Sequence, residues 1–222
     1  MLILGSVCGA GVNGLGVFKR TKKPVDTHLL TAYTYSILAT AITNTGVSSC
    51  NWDCGSTTAT IAGSAFAVGG TLNLANAAAA QALADCRSAS LYYKSLPPVG
   101  VMTGDCAGQV FTPGAWFGAA AVTNSATIYF DAQGDPDAVF VLNFGAAFAP
   151  AAGANNVLLN GALTSNIYIT AVGAISTGAG SSTYGNIMCD AAITMGAGSS
   201  VTGRILSHTA ALTLANNAIT TI

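Results

Sequence analysis

Ala174-Ile175-Ser176, Ala192-Ile193-Thr194 and Ala211-Leu212-Thr213 follow one another at spacings of 18 and 19 residues. This recurring triplet decides the fold. Around it, Asn166-Ile167-Tyr168 returns as Asn186-Ile187-Met188 and then as Arg204-Ile205-Leu206, at spacings of 20 and 18. Gly178-Ala179-Gly180-Ser181-Ser182 likewise returns as Gly196-Ala197-Gly198-Ser199-Ser200. So short a period, with β-rich pieces separated by Gly and Ser, does not suit a helical repeat. It reads as the coils of a parallel β-solenoid, in which each coil buries its apolar face by stacking on the next. Far upstream, Ala41-Ile42-Thr43 carries the same triplet, so the N-terminal part supplies a coil of the same stack.

Strand alternation then assigns sides. With Ile175, Ile193 and Leu212 pointing inward, Ala174, Ala192 and Ala211 face outward beside Ser176, Thr194 and Thr213. Ala41 and Thr43 form a fourth member. One methyl column and one hydroxyl column make a flat, uncharged, lightly hydrated strip, and these eight residues are the candidate surface-contact face. On another side, inward Ile167, Ile187 and Ile205 leave Tyr168, Met188 and Leu206 as an outward apolar column that needs a cover. The run Asn76-Ala77-Ala78-Ala79-Ala80-Gln81-Ala82-Leu83-Ala84-Asp85 supplies it. This run has strong helix propensity, and the spacing predicts one helix over about residues 74–95, ending before Pro97-Pro98. The same parity turns Cys189 inward as a buried, inert thiol and sets Asp190 beside His208 on adjacent coils. Residues 51–70, rich in Gly, Ser and Thr, read as a loop or cap over an open solenoid end.

Composition narrows the functional classes. Charged residues are 7% of the 222-residue chain, against roughly 25% in an ordinary globular protein. With a formal net charge of -1, nucleic acid is not an expected partner. Four of the seven basic residues lie in Lys19-Arg20-Thr21-Lys22-Lys23, directly after an apolar, Gly-rich run over residues 1–18. A secretory signal carries its charge before the apolar segment, so this order is the reverse. Residues 1–25 read as an apolar arm and basic linker, residues 26–222 as one solenoid domain. Membrane contact, if any, would run through residues 1–23.

The candidate chemical motifs fail on context. Gly9-x-Gly11-x-x-Gly14 matches a dinucleotide fingerprint, but no helix pattern or βαβ unit follows it. Asp131, Asp135 and Asp137 lack the ligand order of a calcium loop, and Asp in turns ordinarily bonds its own backbone. Asp190 and His208 have no nucleophile arranged beside them, which argues for a cross-coil pair rather than part of a hydrolase triad. Cys50-Asn51-Trp52-Asp53-Cys54 could close on itself or offer two thiolates to a metal. No second pair stands at metal-ligand spacing. The reading is therefore non-enzymatic, with no cofactor and no metal.

Several strings resemble those of the ice-binding proteins built on a discontinuous β-solenoid with a long helix alongside. The closest are Ala78 to Asp85, Thr112-Pro113-Gly114 and the specific string Asp131-Ala132-Gln133-Gly134-Asp135-Pro136-Asp137-Ala138-Val139-Phe140. Gly185-Asn186-Ile187 and Val201-Thr202-Gly203-Arg204 add to them. The resemblance runs over about residues 31–222. It implies a triangular, right-handed solenoid whose helix separates N-terminal from C-terminal coils, and a flat Ala/Thr strip that contacts ice. Two features depart from that use. The hydroxyl column is one residue wide, and the chain begins without an ordinary export signal. Together with the apolar arm they favour a structural subunit that assembles with protein neighbours, such as a virion or envelope lattice. Localisation would then be a virion, or the cell surface or exterior. Ice binding through the Ala/Thr face is the alternative, with an ice crystal as partner.

Overall fold

The computed structural model describes residues 28–222 apart from residue 65. The apolar arm, the basic linker up to residue 25 and the Gly9-Gly11-Gly14 match lie outside the described residues.

The chain winds through coils of three short parallel strands, and like strands of successive coils stack into three faces. One face, here called flat, is an eight-stranded parallel sheet. In spatial order it holds Ile61–Gly63, Ile42–Thr45, Leu212–Ala215, Ile193–Thr194, Ile175–Ser176, Phe148–Pro150, Val122–Asn124 and Gly104–Asp105. A second face stacks Pro98–Val101, Gly114–Gly118, Phe140–Phe144 and Ile167–Ala171, then residues 186–189 and 204–207, then Tyr35–Ala39, Asp53–Ser56 and Leu72–Leu74. The third face begins with Val110–Phe111, Thr127–Asp131 and Asn155–Leu159.

The strands Ser182–Cys189 and Ser200–Ser207 each serve two faces, turning the corner at Gly185 and Gly203. Both glycines have positive φ, +123° and +140°. A Cβ on Gly203 would stand 2.0 Å from the carbonyl oxygen of Gly185, so only glycine lets the two corners stack.

The stacking order differs from the chain order. Ile37 pairs with Ile205, Ile42 with Leu212 and Cys50 with Ile219, so the first coil sits on the last. Two N-terminal coils extend the stack, and the helix α1 (Ala77–Lys94) then runs back along it to begin the coil at Pro98. At about 1.5 Å per residue and about 4.8 Å per coil, its 18 residues span between five and six coils. Asn76 caps it by accepting from the Ala79 amide at 2.9 Å. Ala79, Ala82, Leu83, Cys86, Ala89 and Tyr93 form its buried stripe, at helical spacing. From Ala82 onward these residues pack with Val141, Tyr168, Met188, Leu206 and Leu38 in a core separate from the solenoid interior. The apolar column thus has its expected cover, and the alanines let the helix lie close to it.

Two expectations need correction. Residues 51–70 are no loop: Asp53–Ser56, Ile61–Gly63 and Phe66–Val68 make a complete coil. Coils can be built from such small residues because a parallel rung draws its stability from backbone bonds to the rung below. The repeat spacing of 20 also misplaces one rung. Ile169, not Ile167, pairs with Ile187, and Tyr168 lies opposite Asn186. The offset is two residues, which preserves alternation, so every inward and outward assignment survives. The outward column reads Thr170, Met188, Leu206 and Leu38, with Tyr168 one position along.

Candidate functional site on the flat face

All eight expected surface residues lie in two ladders on the flat face. Ser176, Thr194, Thr213 and Thr43 are successive register partners, all exposed. The register extends this column to Ala62 at one end and, through Ala149, to Thr123 and Asp105 at the other. Beside it run Ala174, Ala192, Ala211 and Ala41, the first three exposed and Ala41 half-buried. Their carbonyls accept from Phe148, Ile175, Ile193 and Leu212 at 2.9–3.1 Å, which places them in line. Beneath them Phe148, Ile175, Ile193, Leu212 and Ile42 are at most 2% exposed, so a continuous apolar rib holds the strip flat.

The sequence reading missed two rungs of this strip. Ala121-Val122-Thr123 continues both columns, and Ala147 continues the alanine column. The signal was present, since Ala121-Val122-Thr123 repeats the triplet pattern, but it stands upstream of the region where the period is regular. The strip carries no charge until its last rung. There Asp105 accepts from the Ser125 hydroxyl, the Ser125 amide at 3.0 Å and the Ala107 amide at 3.1 Å. The hydrogen bonds from Ser125 hold its carboxyl below the usual range.

The titratable cluster lies elsewhere, at the end of α1. His208 Nε2 and Asp190 Oδ1 are 3.0 Å apart, as adjacent coils require, and Lys94 Nζ reaches the same oxygen at 2.5 Å. Burial under the helix end holds His208 below its ordinary pKa. It is 8% exposed, because the helix end covers it. Ser207 points inward, with its hydroxyl on the carbonyls of Ala191 and Ala210 at 3.1 and 2.9 Å. No nucleophile is therefore presented to this pair by its neighbour in sequence. Cys189 is fully buried, and its thiol is pushed up first by burial. Cys50 and Cys54 form a disulfide, the first of the two alternatives for that loop. Asp131 accepts from the Gln133 amide and Asn160, and Asp135 from the Asp137 amide, as turn aspartates do.

Residues 37–220 match the family model described as Ice-binding-like. The chain belongs to the ice-binding-like family. An ice-binding protein of Nostoc sp. (strain HG1) is 30% identical over 163 residues, 71% of this chain and 60% of that protein. The chain thus spans under two thirds of that relative's length. An ice-binding protein from an Antarctic biological consortium superimposes with a TM-score of 0.84 at 26% identity, over 97% of this chain and 96% of its own. An ice-binding protein from the Antarctic ascomycete Antarctomyces psychrotrophicus gives 0.82 at 25% identity, over 86% and 96%.

These findings overturn the expectation of an assembly subunit in a virion or envelope lattice. A flat, uncharged strip suits a protein neighbour and a crystal surface equally, so the features behind that expectation do not separate the two. Family membership and the ice-binding relatives do. The non-enzymatic reading now rests on membership of the ice-binding-like family.

Proposed function

We propose that the chain binds ice, and that the flat face is the contact. The carrying observation is the alignment of Ser176, Thr194, Thr213 and Thr43 beside the alanine ladder on a rigid, uncharged sheet. Hydroxyls repeat about every 4.8 Å along the stack, the interstrand distance. Each can anchor a water, and the methyls between them leave those waters few competing partners. Ordered water on such a strip is shared with the crystal rather than displaced. Because the side chains are short and the backbone is paired on both sides, little conformational entropy is lost on contact.

The test is the growth habit of ice in the presence of the protein. The unmodified chain should shape crystals and slow their recrystallisation. Thr194→Tyr or Thr213→Tyr, each placing a bulky ring on the strip, should abolish the effect at unchanged thermal stability. Thr220→Tyr, exposed on the third face, should leave it intact. Full activity in both strip variants would count against this face.

A further inference from the structure

A second site lies on the helix-covered face, at the end of the stack where α1 begins. Its cleft has a volume of about 480 Å³ and is walled by the α1 first turns, the turn at Leu30–Thr34 and the last rungs. The cleft is open to solvent, with Thr31, Thr34, Thr71 and Gln81 exposed on its walls. Three successive rungs supply its floor: Tyr35 pairs with Asp53, and Thr71 follows on the next coil, its carbonyl accepting from Cys54 at 3.0 Å.

The polar groups here hold unused capacity. Tyr35 is 4% exposed, yet its hydroxyl bonds to none of the described residues. The ring is buried while the hydroxyl opens onto the cleft, where it is free to donate. Asp53 accepts from the Thr71 amide through Oδ1 at 2.7 Å, which leaves Oδ2 for another donor. Asn73 accepts from Asn76 through its oxygen, so its NH₂ group is available. Gln81 donates to Asp85 at 2.9 Å, which leaves its oxygen as an acceptor. The Thr71 and Thr34 hydroxyls complete the lining. Burial and the neighbouring Asp53 carboxylate both raise the Tyr35 pKa, so it remains a donor at neutral pH.

We infer that this cleft binds a neutral saccharide, with Asp53 and Asn73 gripping adjacent hydroxyls and Tyr35 donating from below. Alternating donors and acceptors match a polyol, in which every hydroxyl is both. The lining contains a carboxylate and no lysine or arginine, which rejects phosphates and carboxylates. The site is independent of the ice-contacting face, so either can fail alone.

An amide-resolved NMR titration of the full chain with methyl α-glucopyranoside, cellobiose and myo-inositol tests it, with glucose 6-phosphate as the charged comparison. At least one neutral probe should give saturable shifts at Thr31, Asp53, Thr71 and Asn73, with Kd on the order of millimolar. Tyr35→Phe and Asp53→Asn should each weaken that binding by about tenfold or more at unchanged fold and ice activity. Tyr35→Phe removes an unpaired hydroxyl and Asp53→Asn keeps the acceptor for Thr71, so both variants should fold. Absence of saturable shifts with all three probes up to about 100 mM would overturn the inference. So would equal affinity for glucose 6-phosphate, or unchanged affinity in both variants.

Discussion

Gly203 shows how a single position sets the geometry of the stack. Its φ of +140° belongs to the region that side chains avoid, and the Gly185 carbonyl occupies the space a Cβ would need. Gly203→Ala combines backbone strain with a clash against a paired backbone, so it should cost about 3 kcal/mol or more. Urea denaturation checks this, and a loss below about 1 kcal/mol would show that the corner relaxes. Neither glycine's role was legible beforehand, because the sequence marks a turn residue without saying that two corners lie in contact. Arg204 is similar. It was legible as a repeat position and as part of a family string, with no role attached, yet it is 2% exposed, donates to Asn186 Oδ1 at 2.8 Å and to the Tyr33 carbonyl at 3.0 Å, and lies over the Tyr33 ring. It joins the N-terminal turn to the C-terminal coils, a contact between residues 171 positions apart that no local pattern encodes.

Among the elements, α1 was the most legible and its docking the least. The alanine run and the stop before Pro97 follow from propensity and from the restriction that proline places on the residue before it, and the observed bounds fall within the expected span. The partner of its last turn did not follow, because Lys94 meets Asp190 only once the helix lies along the stack. His208, 3.0 Å from Asp190 under the helix end, makes the stability of this region pH-dependent. Burial lowers the folded-state pKa of His208, so the unfolded chain takes up its proton first as pH falls. The contribution of neutral His208 is therefore complete above about pH 6.5, the unfolded value, and is lost progressively below it. Denaturation midpoints at about pH 7 and pH 5 should differ in that direction, and His208→Gln should reduce the difference. An equal difference in the variant would assign the pH dependence to other groups. Strand parity served the flat face equally well: a two-residue register error on the second face left its sides correct, since side-chain direction has period two.

At the scale of the molecule, the membership of the N-terminal part in the same stack was legible from one triplet, Ala41-Ile42-Thr43, that matched the C-terminal ones across more than half the chain, whereas its place beyond the last coil was not. The full coil within residues 51–70 was not, because its Gly and Ser content resembles a loop when read alone. The arrangement predicts an unusual pattern of amide exchange. Residues 37–39 lie between the rungs at 204–207 and 53–56, so they should be protected like Ile187 and Ile205 despite their place early in the chain. Among the described residues the rung at Pro98–Val101 is paired on one side only, and its amides at 99–101 should exchange faster, although it lies mid-sequence. Exchange at residues 37–39 as fast as at Pro98–Val101 would contradict the stacking order.

The central claim is that the flat Ala/Thr face, as a whole, meets ice. Its most direct measurement is the partition of fluorescently labelled protein into a slowly growing single ice crystal. The unmodified chain and Thr220→Tyr should be engulfed by the ice, and the double variant Thr194→Tyr/Thr213→Tyr should stay in the liquid. Incorporation of the double variant at the unmodified level, or exclusion of all three, would contradict the account.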